Sequence, residues 1–465
     1  MNNFSHHLSA SVAPLRLYSH RRNASFTSPE YAPGEKPTHT RYWVVVFAVA
    51  LAILSYIDRV LMSQAMPGPR GVAAELDLES WQRGYIFGAF AIAYALFEMP
   101  GGWMGDWLGP RRVLMRVVIW WSCFTALTGA AWSFSSLVII QFLFGAGEAG
   151  CFPNLTKAFS AWLQVHERVK MQSIMWMAAR WAGAITPLLA VQVLKLVSWH
   201  VAFPLFGSLG AVWAVLFFRW FRDKPSEHKS VNAAELALLA GNEDLSGGHA
   251  DVPWRKLVSS RTVWLLWAQY FCLAYPWYFY ITWLPQFLRT RYPELSDDQR
   301  AALAFVPLFF GGLGSLFCGL LAPRVVHWMG SIARARRALA MTGFFGAALA
   351  LCISIQMTHP LTTIAFLGLT SFCNDLVMPG AWATCMDVGG KYAGTLSGSM
   401  NTMGNPAGFV GPVVGGYILQ ATGGRYEVFL YSMAAMYLIG TLCWPFINPT
   451  TPLEHPYQTP IPART

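Results

Sequence analysis

The chain has 465 residues, 55% of them hydrophobic, 15% aromatic and only 12% charged, with a mean hydropathy of +0.39. A soluble domain carries about 25% charged residues, so this composition excludes an ordinary soluble protein and points to a chain embedded in a bilayer. The net charge of +10 falls in short loops beside apolar runs, which fits the positive-inside rule rather than nucleic-acid binding.

Residues 1–41 are polar and hold no apolar run of signal-peptide length, so they read as a disordered cytoplasmic tail rather than a cleaved leader. The first apolar run, 43–64, is long enough to cross a bilayer at ~1.5 Å per residue. Inside it stand Asp58 and Arg59. An ionisable group near the bilayer centre costs roughly 2.5–3.5 kcal/mol on insertion scales, so each needs a partner or a watery cavity. Successive helical residues point about 100° apart, and the two therefore face different neighbours. Either they lock helices together or they line an ion or substrate site.

Further apolar runs follow at 83–104, up to about 132, and at 137–159, 171–194 and 201–221. A long hydrophilic stretch, 223–261, precedes others at 263–287, 301–326, 338–357, 361–386, 395–419 and 428–447. That makes about twelve crossings, six on each side of a central loop, the plan of one large transporter fold. The expected divisions are a tail (1–41), a six-helix half (42–222), a cytoplasmic loop (223–261), a second six-helix half (262–448) and a second tail (449–465). Basic residues gather in the even-numbered loops, among them Arg111, Arg112, Arg168, Lys170 and Arg334. The odd-numbered loops offset Arg289, Arg291 and Arg300 with Glu294 and Asp298, and this bias puts both termini in the cytoplasm. Eight scattered cysteines without a C-x-x-C pair suggest neither a disulfide framework nor a metal site.

Gly102, Asp106, Gly109, Arg111 and Arg112 match the G-x-x-x-D-x-x-G-x-[RK]-[RK] turn that the major facilitator superfamily carries between its second and third helices. Trp107 takes a place that is often Arg or Lys. Asp106 can face a helix N-terminus or an arginine of the adjoining loop, while Arg111 and Arg112 meet phosphates, so the expected role is gating. The corresponding turn of the second half, 319–324, lacks the acid. The prolines at 406 and 412 are expected to kink the eleventh span, and its small-xxx-small glycines to serve packing.

Tyr56 with Asp58 and Arg59, the run 144–154 around Glu148, Trp162 with Glu167 and Arg168, and the run 400–405 together resemble the anion:cation symporter family. That group includes bacterial sugar-acid and hexuronate transporters and the animal sialin and vesicular glutamate carriers. The resemblance covers nearly all of 42–447 and implies proton-driven or potential-driven movement of small organic anions. Positions matching Asp58 and Glu148 are implicated in proton coupling there, with Arg59 setting their charge state. Burial disfavours an ionised carboxyl and a neighbouring arginine favours it, so an acid poised between the two can load and release a proton. Several members carry Arg seven residues before the acid; here it is Gln141, which hydrogen-bonds a carboxylate without neutralising it. Arg180 either supplies the missing charge as a substrate clamp or is structural. Tyr56, Tyr94, Asn401 and Asn405 are further candidates to line the cavity, with helix packing as the alternative, and Glu167 and Arg168 join the gating set.

The run 145–150 fits G-x-G-x-x-G but has no preceding strand, and no zinc-protease or nucleophile-elbow motif appears, so neither a cofactor nor an enzyme is expected. The expectation is a monomeric, all-α, twelve-helix protein of the plasma (inner) membrane. It carries a small carboxylate with protons by alternating access, or else works as a potential-driven uniporter or exchanger.

Overall fold

The computed structural model describes residues 35–67, 70–242 and 251–454, so most of the two expected tails and part of the central loop lie outside the described residues. In chain order the first helices are α1 (Thr40–Ala65), α2 (Val72–Glu75), α3 (Ser80–Leu108), α4 (Pro110–Thr128), α5 (Phe134–Glu148), α6 (Cys151–Trp162), α7 (Val165–Leu196) and α8 (Trp199–Trp220). The short α9 (Ala233–Leu238) and α10 (Trp254–Ser259) lead to α11 (Arg261–Thr282) and α12 (Leu284–Arg291). Then come α13 (Asp297–Met329), α14 (Ile332–Gln356), α15 (Pro360–Asp375), α16 (Met378–Gly389), α17 (Ala393–Gly404), α18 (Ala407–Ala421) and α19 (Tyr426–Cys443).

Among the described residues nine stretches are long and apolar enough to cross a membrane. One of these, Pro360–Ala421, reverses where α16 folds back on α17, and α4 and α11 bridge the remaining gaps, an arrangement consistent with twelve crossings. Large apolar side chains such as Leu188, Leu205, Leu216, Phe409 and Leu442 stand exposed along the helices, where only lipid would cover them.

Local chemistry sets the ends and breaks. Gly109, at φ +84°, stops α3, and Pro110 opens α4, where its missing N–H would have been unpaired anyway. Gly150, at φ +83°, separates α5 from α6 directly after Glu148. Pro406 divides the eleventh span into α17 and α18, and Pro412 lies inside α18. The glycines of that span receive aromatic rings as well as backbone: a Cβ on Gly404 would stand 2.4 Å from the Tyr270 ring, and one on Gly408 2.5 Å from that of Tyr278. The second half differs from the expected turn at 319–324. There α13 runs on through Pro323 and Arg324 to Met329 and ends at Gly330 in the left-handed region. Without a glycine–proline stop at that place the apolar run simply continues.

Two seams join the first-half helices to the second: α3 against α17, and α7 against α13 and α16. Both pass through the middle of the bundle.

Candidate functional site

At mid-depth, α1 and α5 bring Arg59 and Glu148 together. Arg59 Nε donates to Glu148 Oε1 at 2.9 Å, and the Ser55 hydroxyl donates to the same oxygen. Glu148 is fully buried, and its Oε2 has no partner; one guanidinium nitrogen of Arg59, Nη2, is likewise buried and unpartnered. Aromatic rings surround the guanidinium, with Tyr94 4.5 Å, Phe90 5.4 Å and Tyr56 5.8 Å from its carbon. A quarter of the Arg59 side chain (24%) stays exposed. Asp58 is buried on another face of α1, beside Trp121 and Thr125 and near Glu148. The two residues of the dipeptide do point to different neighbours.

Gln141, two turns before Glu148, donates to Thr128 at 3.4 Å and does not meet the carboxylate. Arg180 is held by a residue the sequence analysis passed over: its Nε and Nη2 lie 2.8 and 3.0 Å from the two oxygens of Asp375 at the end of α15. Asn401 donates to Glu98 at 2.8 Å and lies 3.4 Å from the Tyr94 hydroxyl. Asn405, in the α17–α18 break, keeps a buried amide nitrogen without a partner. Glu98 also accepts the Gly150 amide at 3.0 Å, tying α3 to the α5–α6 break.

The expected gating residues gather at the end of the bundle where the chain enters and leaves. Asp106 accepts the backbone N–H groups of Gly394 (3.1 Å) and Thr395 (2.6 Å) and the Thr395 hydroxyl, capping α17, and Lys157 stands 3.3 Å away. Of the two expected roles it takes the first. Gly102 matters for closeness, since a Cβ there would stand 2.2 Å from the Gly394 carbonyl oxygen. The Arg111 amide donates to Asp223 at 2.8 Å, and its guanidinium binds the Phe218 carbonyl, while Arg112 is exposed. Partial burial pushes the Asp223 carboxyl above its ordinary value, against the pull of the Arg111 amide and charge. Glu167 pairs with Arg41 (3.1 Å) and the Tyr42 hydroxyl (2.7 Å), and Arg41 reaches Glu235 of α9 (3.0 Å). Arg168 binds Asp387 of α16 and the Ser160 carbonyl (2.9 Å), and Arg336 shares Asp387.

Ser55, Glu98, Lys157, Asp375 and Asp387 thus complete the polar core. The signal for the acids was present, because a carboxyl inside an apolar run is a functional hypothesis wherever it occurs. Glu98 and Asp375 satisfy that rule as fully as Glu148 does, while Asp387 lies one residue past the end of its run.

Residues 48–412 match the family model of the Major Facilitator Superfamily. The probable sulfoacetate transporter SauU of Cupriavidus necator is 34% identical over 419 residues, spanning 90% of this chain and 96% of that protein. The probable galactarate/D-glucarate transporter GudP of Escherichia coli is 30% identical over 419 residues, spanning 85% of this chain and 91% of that one. The solved structure of the proton:xylose symporter XylE bound to 6-bromo-6-deoxy-D-glucose aligns with a TM-score of 0.68 at 12% identity, over 89% of this chain and 97% of the other, a likeness of fold alone.

Proposed function

The chain belongs to the major facilitator superfamily and is a multi-pass membrane transporter rather than an enzyme, and on that premise we propose that it moves a small organic anion together with protons by alternating access. The observation that carries this reading is the Arg59–Glu148 pair, in which each partner keeps one buried polar atom unused. An arginine fork binds a carboxylate or sulfonate through two parallel hydrogen bonds, and here one tine is already pointed at an internal acid. An incoming anion and the Glu148 carboxylate therefore compete for Arg59. A proton placed on the free Oε2 of Glu148 removes the competitor's charge, so proton and substrate bind together. Asp58, the second acid of the group, exchanges protons with the same cluster. Tyr56 and Tyr94 wall the site, and Asn401 and Asn405 offer amides to substrate hydroxyls. The relatives named for sulfoacetate and galactarate/D-glucarate agree with an organic anion as cargo.

In the same reading, 42–222 and 262–448 are the moving halves, 223–261 and both termini are cytoplasmic, and the protein works as a monomer in the plasma (inner) membrane. Gly102, Asp106, Gly109, Arg111, Arg112, Glu167 and Arg168 hold the cytoplasmic end shut between turnovers. Reporter fusions after Lys36, Gly247 and Pro452 are expected to report the same, cytoplasmic, side. Uptake into proteoliposomes tests the coupling. Asp58→Asn and Glu148→Gln should each abolish accumulation driven by a pH gradient while leaving exchange, because a neutral amide imitates the protonated acid. Accumulation by both variants removes the proton-carrier role, and wild-type uptake that follows voltage but not pH makes the protein a uniporter.

A further inference from the structure

Among the described residues the middle of the bundle holds two arginine–carboxylate pairs, Arg59 with Glu148 and Arg180 with Asp375. In the second, Arg180 of α7 grips both oxygens of Asp375 across the seam, with the two side chains almost wholly shut off from solvent. The guanidinium lies over the Trp277 ring, 3.5 Å from its centre, and Asn374 donates to Asp375 at 3.1 Å. Buried polar atoms beside it, Asn374 Oδ1 and Ser371 Oγ, have no partner. Tyr56 lies within the field of Arg180 as well as beside Arg59. Arg59 is 5.8 Å from the centre of Tyr56, and a Cβ on Gly183, one turn past Arg180, would stand 2.9 Å from the same ring. Tyr278 lies within the field of both guanidinium groups.

We propose that the substrate is a small anion with two acid groups, one bound by Arg59 and one by Arg180, each displacing the internal carboxylate that its guanidinium holds in the structure. The inference rests on the organic-anion reading above and deepens it. Alternating access parts the seam, so the Arg180–Asp375 bond must break in every cycle. Breaking it bare strands two buried charges, which is costlier than leaving the pair intact. A proton on Asp375 and a substrate acid on Arg180 leave neither charge uncompensated. Once Glu148 and Asp375 are both protonated, the two guanidinium charges are matched by a dianion and only half matched by a monoanion. Of the other acids of this level, Glu98 holds Gly150 and Asn401, and Asp58, beside Trp121 and Thr125 and near Glu148, bonds neither guanidinium. Tyr94 and Tyr270 also face the two cations. Two protons then accompany each dianion.

Binding titrations on the purified full chain with matched compounds test this: galactarate against galacturonate, and sulfoacetate against its amide. The wild type should prefer each two-acid compound by about tenfold to hundredfold, the value of one charge-assisted pair. The double variant Arg180→Gln with Asp375→Asn should reduce that ratio to about threefold or less while still binding the one-acid compounds. Titration in two buffers of different ionisation heat reads proton uptake, which should fall by one per bound diacid in Asp375→Asn, a measurement that stands if the double variant fails to fold. Equal wild-type affinity for both compounds of a pair, or an unchanged proton count in Asp375→Asn, overturns the inference and leaves the organic-anion reading intact. A wild type that binds none of the four fails the organic-anion reading itself.

Discussion

Along the α3–α17 seam the first half offers a carboxylate to backbone N–H groups of the second, whereas from α7 it offers arginines to carboxylates of α15 and α16. Asp106 caps α17 through the amides of Gly394 and Thr395, with Gly102 letting the two backbones touch. Arg168 and Arg180 instead meet Asp387 and Asp375. Backbone amides do not titrate, so the cap on α17 is a matter of fit and of one charge at a helix N-terminus, with Lys157 beside Asp106 and Glu98 on Asn401 as the further polar contacts. The second seam depends on both partners staying charged. In the cycle proposed above it is therefore the seam that a proton on Asp375 would loosen.

The largest expected effect lies on that charged seam. Asp387→Ala leaves Arg168 and Arg336 facing each other without an acid, a loss of about 3–5 kcal/mol typical of a broken buried pair. Spin-label distances across the end that carries the termini should lengthen; unchanged distances mean that the charged seam does not hold that end shut. Next, Asp106→Asn keeps an acceptor for α17 but takes the carboxylate from the buried Lys157 as well, for about 1.5–3 kcal/mol. A thermal-shift series reads this, and a loss as large as that of Asp387→Ala would make both seams electrostatic. Gly102→Ala drives a methyl into the Gly394 carbonyl and should weaken the packed seam by about 1–3 kcal/mol. The comparison sharpens if its opening is the same at pH 5 and pH 8, since nothing titratable has been removed. Arg324→Ala, at the exposed position that corresponds to the first-half turn, should stay within about 0.5 kcal/mol and leave transport unaltered. A transport defect there would restore a gating role to the second-half site.

The asymmetry of those two turns was half legible in the chain. Asp106 with Gly109 and Pro110 carries its own stop signals, and the helix ends where they stand. In the second half the absence of an acid could be read at 319–324, but not the continuation of α13, because a single proline inside a long apolar run is compatible with either a turn or a tolerated kink. Glu148 and Arg59 were legible as partners in kind, since each is an isolated charge that a bilayer penalises.

What the chain determined alone is whatever depends on composition over one crossing: the apolar runs, the hydrophilic joint between halves, the helix stops, and the demand that each buried charge find a partner. Which partner it finds is a different matter. Arg180 meets an acid 195 positions away, Asn401 meets Glu98 across 303, and Asp106 caps a helix that starts nearly 290 residues later. An arginine in an apolar helix will accept any carboxylate or anion within reach, so local sequence states the need and leaves the answer open. Only the packing of the helices put Asp375 within 3 Å of Arg180 and left the buried Nη2 of Arg59 unclaimed, because that choice depends on distance, and distance between crossings is decided by how the helices stack.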